Sequence, residues 1–302
     1  MKNNKYNILI LGENSYIGNS FKKYIEKYYN NSFDIDTISL RNNNWKNLNF
    51  SNYDVVLNFV GIAHVDIDDL DENEAKKYFD INAYLNYEVA KKSKLDGVKQ
   101  YIYMSSSIVY GDVNKINEPK IIKNNTLPSP SNFYGESKLK AEELLNELCD
   151  GSFVVSIVRS PMVYGANSKG NFAKLYNFSK KIILFPKIDN IRSMIFIDNL
   201  SEFLVKTIEY NKTGILFPQN SEYVNTSDLV LNIANINNRK IVITSIFNPF
   251  ILLLCKFSKK INKIVLKVFG SFVYDKTLSQ YEFDYNKYSF LESLRSIKEN
   301  DK

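Results

Sequence analysis

Histidine and cysteine are nearly missing from this chain, which has one of the first and two of the second in 302 residues. With no Cys-x-x-Cys pair and no Cys/His cluster, a structural metal site is not expected, and the metal-ligand set is taken as none. Cys149 and Cys255 fall in segments that read as helical, and two isolated thiols suit a reducing cytoplasm. Glycine (11) and proline (7) are scarce too, and neither an internal repeat nor a disordered linker is visible. No apolar run reaches the roughly 18 to 20 residues that a spanning helix needs, so no transmembrane segment is expected. The N-terminal MKNNKYNILILGENSYIG holds a short apolar run that passes straight into Gly and Glu, which reads as a buried strand and not as a secretion signal. The formal charge of +6 comes from lysines spread along the chain. No basic block interleaved with stacking aromatics occurs, so no nucleic-acid partner is expected.

What is abundant is apolar surface. Hydrophobic residues make up 44% against 24% charged, and a chain of this length can bury a substantial core as one large domain with a smaller lobe. Strand and helix signals alternate. Asn7 to Leu11, Ile35 to Leu40, Asp54 to Val60, Gln100 to Met104 and Phe153 to Val158 read as strands. Tyr16 to Tyr29, Glu72 to Lys94 and Phe133 to Leu148 read as helices. Such alternation predicts an α/β fold, a doubly wound parallel sheet with helices on both faces and ligands at the carboxyl ends of its strands. Beyond Pro161 the pattern loosens. Helices over Phe172 to Lys181 and Leu200 to Glu209 mix with brief strands at Met194 to Ile197 and Ile215 to Phe217. This predicts a main domain over 1–165 and a smaller lobe over 166–302, with some segments returning to the main sheet. Ser245 to Gly270, the most hydrophobic stretch, is broken by Pro249 and five lysines. It reads as a buried amphipathic helix pair, with docking at a membrane surface as the alternative.

Two motifs carry chemistry. The first strand runs into Gly12-Glu-Asn-Ser15-Tyr-Ile-Gly18 and then a helix. A dinucleotide site needs a tight turn, close backbone approach to the pyrophosphate, and a helix N-terminus whose free N–H groups face the anion. Gly12 and Gly18 supply the outer positions of that pattern, and Ser15 stands in the middle one. The second motif is Tyr134 and Lys138 in FYGESK, four residues apart on one helical face, where an ammonium would favour the phenolate of a general base. Spacing alone is weak: 21 tyrosines and 34 lysines give about two or three such pairs by chance. There are three, Tyr87/Lys91, Tyr134/Lys138 and Tyr176/Lys180. Tyr134/Lys138 lies downstream of the apolar segment ending in Ser105-Ser106-Ser107, whereas Tyr87/Lys91 lies before it and Tyr176/Lys180 in the smaller lobe, and both of those read as surface helix residues.

Taken together, the glycine motif, the serine cluster followed by Val109-Tyr110-Gly111, Tyr134-x-x-x-Lys138, the run Arg159 to Gly165 and the run Arg192 to Asp198 resemble the extended short-chain dehydrogenase/reductase superfamily. The likeness is to its NAD-dependent epimerase/dehydratase branch, which includes UDP-glucose and UDP-N-acetylglucosamine 4-epimerases and 4-ketoreductases. It implies a Rossmann-like fold with a C-terminal substrate-binding lobe. It also implies that Tyr134 is acid and base for a sugar hydroxyl and that Lys138 lowers its pKa and bonds the nicotinamide ribose. Ser106, with Ser107 as fallback, would bind the reacting oxygen. Gly12, Asn14, Ser15, Tyr16, Ile17, Gly18, Arg41, Gly61, Asn82 and Lys138 would hold the cofactor. Asn171 and Arg192 would contact the nucleotide diphosphate, the latter with a guanidinium fork suited to phosphate oxygens. For both, loop capping or plain surface polarity is the competing role. His64 would line the pocket, and Asp198 would cap a helix starting at Asn199.

Base, serine and cofactor converging on one C–O unit would transfer hydride at C4. Return of the hydride to the rotated ketone makes a 4-epimerase; a ketone arriving as substrate makes a reductase. The 4,6-dehydratases of this branch have Thr-Asp-Glu where this chain has Ser106-Ser107-Ile108, so elimination is not expected. The cofactor is NAD or NADP: the second strand ends Ser39-Leu40-Arg41 without the carboxylate usual for NAD, and Arg41 could meet a 2′-phosphate. The implied partner is a nucleotide sugar, UDP-linked, with a polyprenyl-diphosphate sugar as the alternative carrier. The implied assembly is a homodimer through the long helices. A dinucleotide-binding protein without catalysis is the reading of another class.

Overall fold

The computed structural model describes residues 5–62 and 72–300. In chain order the first elements are β1 (Tyr6–Leu11), α1 (Tyr16–Tyr28), β2 (Phe33–Ile38), β3 (Val55–Asn58), α2 (Glu72–Phe79), α3 (Leu85–Leu95) and β4 (Gln100–Ser106). Next come β5 (Lys120–Ile122), α4 (Phe133–Asn146), β6 (Val154–Ser160), β7 (Met162–Tyr164), α5 (Asn171–Ser179), β8 (Leu184–Pro186), β9 (Met194–Phe196), α6 (Ile197–Glu209) and β10 (Gly214–Leu216). The chain ends with α7 (Thr226–Ile236), β11 (Val242–Thr244), α8 (Asn248–Phe257), α9 (Lys259–Phe269), β12 (Phe272–Tyr274) and α10 (Phe290–Glu299).

The chain divides into two compact units. One comprises Met1–Asp112, Leu127–Ser160 and Ser201–Pro218; the other comprises Val113–Thr126, Pro161–Leu200 and Gln219–Lys302. The first unit is built on a six-stranded sheet in the order β10-β6-β4-β3-β1-β2, and every neighbouring pair in it is parallel. The four residues of β3 are all buried, as are six of the seven in β4. That burial explains why these strands read as apolar runs and not as alternating ones: helices cover both faces of a parallel sheet. After β1 the chain moves outward to β2 and then returns to the other side of β1 as β3. That reversal places a crevice at the carboxyl ends of β1 and β3, where open α/β sheets bind ligands.

Helix starts follow local capping chemistry. The Ser15 side chain accepts a hydrogen bond from the Gly18 N–H at 3.2 Å and starts α1; Asn132 does the same for α4 through Gly135 N–H at 2.9 Å. The expected helix over 72–94 is present, but between α2 and α3 it widens into a π-helical turn, Asp80–Tyr84. Asp198 lies in the first turn of α6, which starts at Ile197, so it is not the cap of a helix beginning at Asn199. Cys149 falls in the turn after α4 and not in a helix, whereas Cys255 is within α8; both are free thiols.

The second unit has three two-stranded parallel pairs, β11 with β8, β12 with β5 and β7 with β9. Its helices include α10, which carries a reciprocal capping box between Ser289 and Glu292. Ile116, Phe185, Ile188, Val230, Val265 and Phe269 form a core in it. The stretch 245–270 is a helix pair, as expected, but only its second helix is partly buried: α9 buries Val265 and Phe269, whereas α8 has no buried residue. Pro249 does not break it either. It occupies the first turn of α8, where the missing N–H costs nothing, and the interruption is at Ser258, whose hydroxyl accepts from Ile261 N–H at 3.3 Å and starts α9. Among the described residues no helix is long and apolar enough to cross a membrane.

Candidate active site

The crevice at the end of β1 and β3 is a cavity of about 780 Å³ lined by Gly12, Asn14, Ser15, Arg41, Gly61, Ile62 and Tyr84, among others. Gly12 has a φ of +107°, a turn that other residues rarely make. Its N–H bonds the Ile38 carbonyl at 3.1 Å, which ties the turn to the end of β2. Gly18 is buried in the first turn of α1, and a Cβ there would come within 3.1 Å of the Phe59 ring. The glycine lets α1 approach the sheet with its N-terminus aimed at the crevice. Tyr16 and Ile17 complete that turn and are half-buried. The cavity volume falls in the ~300–1,000 Å³ range of cofactor and small-molecule sites, and the residues present therefore fit a dinucleotide.

Asn82 stands behind the cavity wall. It is fully buried in the π-helical turn. Its Oδ1 accepts from Ile62 N–H at 2.8 Å, and its Nδ2 donates to the Ile62 carbonyl at 3.2 Å and to Ser137 Oγ at 3.0 Å. One side chain thus holds the segment after β3 and joins it to α4. The extra residue of the π turn frees carbonyls, and these are met: Asn86 Nδ2 donates to Ile81 and Asn82 carbonyls at 2.8 Å each, and Tyr103 OH donates to the Asn82 carbonyl at 3.0 Å.

Tyr134 is in the first turn of α4 and half-buried. It is hydrogen-bonded to Ser106, at the end of β4. Its ring lies against Tyr78 with centroids 6.2 Å apart. Ser107, the fallback, opens the 3₁₀ turn Ser107–Tyr110. Loss of water pushes the Tyr134 phenol up to about 12, against the lowering effect of Ser106. The ammonium expected to lower it points elsewhere. Lys138 Nζ donates to the Met104 carbonyl at 2.9 Å and lies 4.6 Å from the centre of the Tyr103 ring. Burial brings Lys138 down from 10.5 to about 8, partly offset by the charge of Glu142. Lys138, Tyr134 and Ser106 do not themselves line the cavity, but the lysine adjoins a residue that does: a Cβ on Gly61 would sit 3.2 Å from Nζ and 3.0 Å from Asn82 Oδ1.

Sequence reasoning missed what supports this lysine. Glu142, one turn beyond Lys138, is buried and forms an ion pair with buried Arg159, whose Nε lies 3.1 and 3.0 Å from the two carboxylate oxygens. Ser105 Oγ also donates to Glu142, and Arg159 Nη1 donates to Tyr110 OH at 2.6 Å. The signal was available, since Tyr134, Lys138 and Glu142 continue one four-residue spacing along α4. Of the two rejected Tyr/Lys pairs, Tyr87 is half-buried against the core and Tyr176 is buried, with Lys180 Nζ 4.5 Å from its ring centre. Neither tyrosine is the surface residue expected.

In the second unit, Asn171 is the exposed first residue of α5, after Gly170 at φ +88°. Arg192 Nη1 donates to the Lys267 carbonyl at 2.8 Å and closes the carboxyl end of α9; burial brings its guanidinium down to about 10. His64 lies outside the described residues. Among the described residues no cluster of three or more His, Cys, Asp or Glu could hold a metal ion.

A curated UDP-glucose 4-epimerase from Vibrio cholerae is 32% identical over 193 residues, 62% of this chain and 58% of that protein. An N-acetyl-alpha-D-glucosaminyl-diphospho-ditrans,octacis-undecaprenol 4-epimerase from Escherichia coli O157:H7 is 29% identical over 170 residues, 54% of this chain and 48% of that protein. The chain thus spans about half the length of the curated relatives it matches. In structure it resembles a UDP-N-acetylglucosamine 4-epimerase from Bacillus cereus, with a TM-score of 0.74, 12% identity and coverage of 99% of this chain and 100% of the other. That likeness concerns the fold. Residues 1–217 match the model of the NAD dependent epimerase/dehydratase family. With a glycine turn at β1, a cavity at the sheet reversal and Tyr134 bonded to a serine at the end of β4, the chain belongs to that family.

Proposed function

We propose that this chain is a nucleotide-sugar 4-epimerase that interconverts alcohol and ketone at C4 of a UDP-hexose or UDP-N-acetylhexosamine. The observation that carries the reading is the Ser106–Tyr134 hydrogen bond, with Lys138 one turn along α4 and close to Gly61 of the glycine-lined cavity. A bound nicotinamide would supply the hydride acceptor and donor. The residues of the chain do the rest. Ser106 orients the sugar hydroxyl, and Tyr134 takes its proton on oxidation and returns one on reduction. Lys138, turned from the Met104 carbonyl toward the phenol and the ribose, would stabilise the phenolate. Gly12, Asn14, Ser15 and the first turn of α1 would hold the pyrophosphate. Asn171 and Arg192 are proposed for the sugar-nucleotide diphosphate. Arg192 has donors beyond the Nη1 that closes α9.

A second reading rests on Arg41. It lines the cavity, and a guanidinium there suits a 2′-phosphate, which would make the chain an NADPH-dependent reductase of a nucleotide 4-keto-sugar. One experiment separates the two. The purified protein is denatured, released dinucleotide is identified by mass spectrometry, and native protein is incubated with UDP-glucose, with UDP-N-acetylglucosamine and, with and without NADPH, with a nucleotide 4-keto-sugar, while C4 is followed by NMR. Retained NAD and epimer formation without added cofactor are expected. An absolute need for NADPH would replace the first reading with the second, and no turnover of either substrate class would remove both.

A further inference from the structure

The helix pair of the second unit presents an apolar stripe to solvent. Ile246, just before α8, and Phe250, Leu253 and Phe257 within it recur at intervals of four, three and four residues, so they share one face. They are 79%, 60%, 49% and 82% exposed. Other positions of the same pair, Ile251, Cys255, Ile261 and Leu266, pack against the core around Phe185 and Phe269. The pair is therefore anchored on one side, and the outward stripe is surplus to that packing.

Charge decides what could cover the stripe. Lys256, Lys259 and Lys260 cluster where α8 passes into α9, and all three are exposed. No Asp or Glu occurs between Asp228 and Asp275, so the corner is cationic without local compensation in sequence. A second copy docked on this face would bring a second set of the same lysines into the contact and no carboxylate of this segment to pair with them. Large apolar side chains flanked by lysines on short helices are instead the composition of a segment that lies in a bilayer interface. α8 and α9 have 10 and 11 residues, too short to span and long enough to lie flat.

We propose that α8 and the start of α9 dock this protein onto a bilayer surface rich in anionic phospholipid, the stripe entering the acyl boundary and the lysines meeting the headgroups. The inference stands apart from the proposed reaction and holds whatever the sugar is.

Vesicle flotation of the full chain tests it, using phosphatidylcholine alone and phosphatidylcholine with about one third phosphatidylglycerol, at about 0.1 M and about 1 M salt. Binding to the anionic vesicles at low salt, and little to the neutral ones, is expected. The combined change Lys256→Gln, Lys259→Gln, Lys260→Gln should weaken partitioning about fivefold per lysine. The pair Phe250→Ser and Phe257→Ser should weaken it by about tenfold or more with an unchanged melting temperature. The lysine variant keeps the test decisive should the phenylalanine variant fold poorly. Failure to float with either vesicle overturns the proposal, as does flotation that is indifferent to both variants. So does a concentration-dependent dimer in sedimentation that the phenylalanine pair abolishes without any vesicle binding, since a second copy would then be the occupant.

Discussion

Tyr134 and Lys138 carry opposite shifts: burial raises the phenol to about 12 and lowers the ammonium to about 8. At neutral pH, therefore, the phenol keeps its proton while the lysine remains largely charged under strain. Tyr134→Phe removes only the hydroxyl, so turnover should fall by roughly 10²–10⁴ while cofactor content stays at the wild-type level; unchanged turnover in a steady-state assay would remove Tyr134 from the reaction. Lys138 makes a stability prediction as well. Its folded value lies below the unfolded value of 10.5, so the folded state bears a penalty below about pH 8 that disappears as pH rises toward 10.5. That displacement corresponds to about 3 kcal/mol, less about 1 kcal/mol for the bond to the Met104 carbonyl. Lys138→Met should accordingly be more stable than wild type by on the order of 2 kcal/mol at pH 7 in urea unfolding. The gain should fade by about pH 10.5, and activity should be lost at every pH. Nothing in FYGESK foretells the orientation of Lys138, because a four-residue spacing fixes a shared helical face and not the rotamer of a long side chain.

The π-helical turn contributes Asp80, Ile81 and Tyr84 to the cavity wall. Asn82 makes three hydrogen bonds from it and is wholly buried. Asn82→Ala leaves the Ile62 backbone groups and Ser137 short of partners, and should cost about 2–4 kcal/mol, measured by urea unfolding, with weaker cofactor binding by calorimetry. Gly61→Ala is a sharper probe. The added methyl would meet Asn82 Oδ1 at 3.0 Å and Lys138 Nζ at 3.2 Å. Asn82 is held by its three bonds, so the lysine must give way. Turnover should drop at least tenfold with a loss of stability below about 2 kcal/mol. Element type and order in the first unit were legible because its strands are buried on both faces and its helices are capped by Ser15 and Asn132, signals that depend on near neighbours alone. The π turn was not. One extra residue in the repeat of Glu72 to Leu95 leaves the apolar pattern helical, and what stabilises it, Asn86 and Tyr103, comes from a neighbouring turn and from β4. The short strands β5, β7, β8, β11 and β12 were equally hidden: three residues barely register an alternation, and of the strands that short only β9 and β10 were anticipated.

For the molecule as a whole, family membership was readable from motifs that a single chain presents in order, whereas cofactor choice depends on side chains gathered from separate strands. Arg41 reaches the cavity from beyond β2. Arg41→Ala should reduce affinity for NADP at least tenfold more than for NAD, read as the difference in ligand-induced rise of melting temperature; an equal effect on both would leave Arg41 without a role in the choice. The main sheet also depends on a late part of the chain. β10, at residues 214–216, supplies the edge of the main sheet beside β6. Buried Gln100 at the start of β4 donates to the carbonyls of Thr207 and Lys212, at 3.2 Å each. During synthesis at about 5–20 residues per second, β1, β3 and β4 have all been made long before these partners leave the ribosome. Until then the β6 edge is an open template for wrong pairing. The nascent chain must wait through a further fifty-odd residues after β6 before its nucleotide fold can close, so a chaperone that shields that edge should raise the yield of folded protein more than one that acts after release.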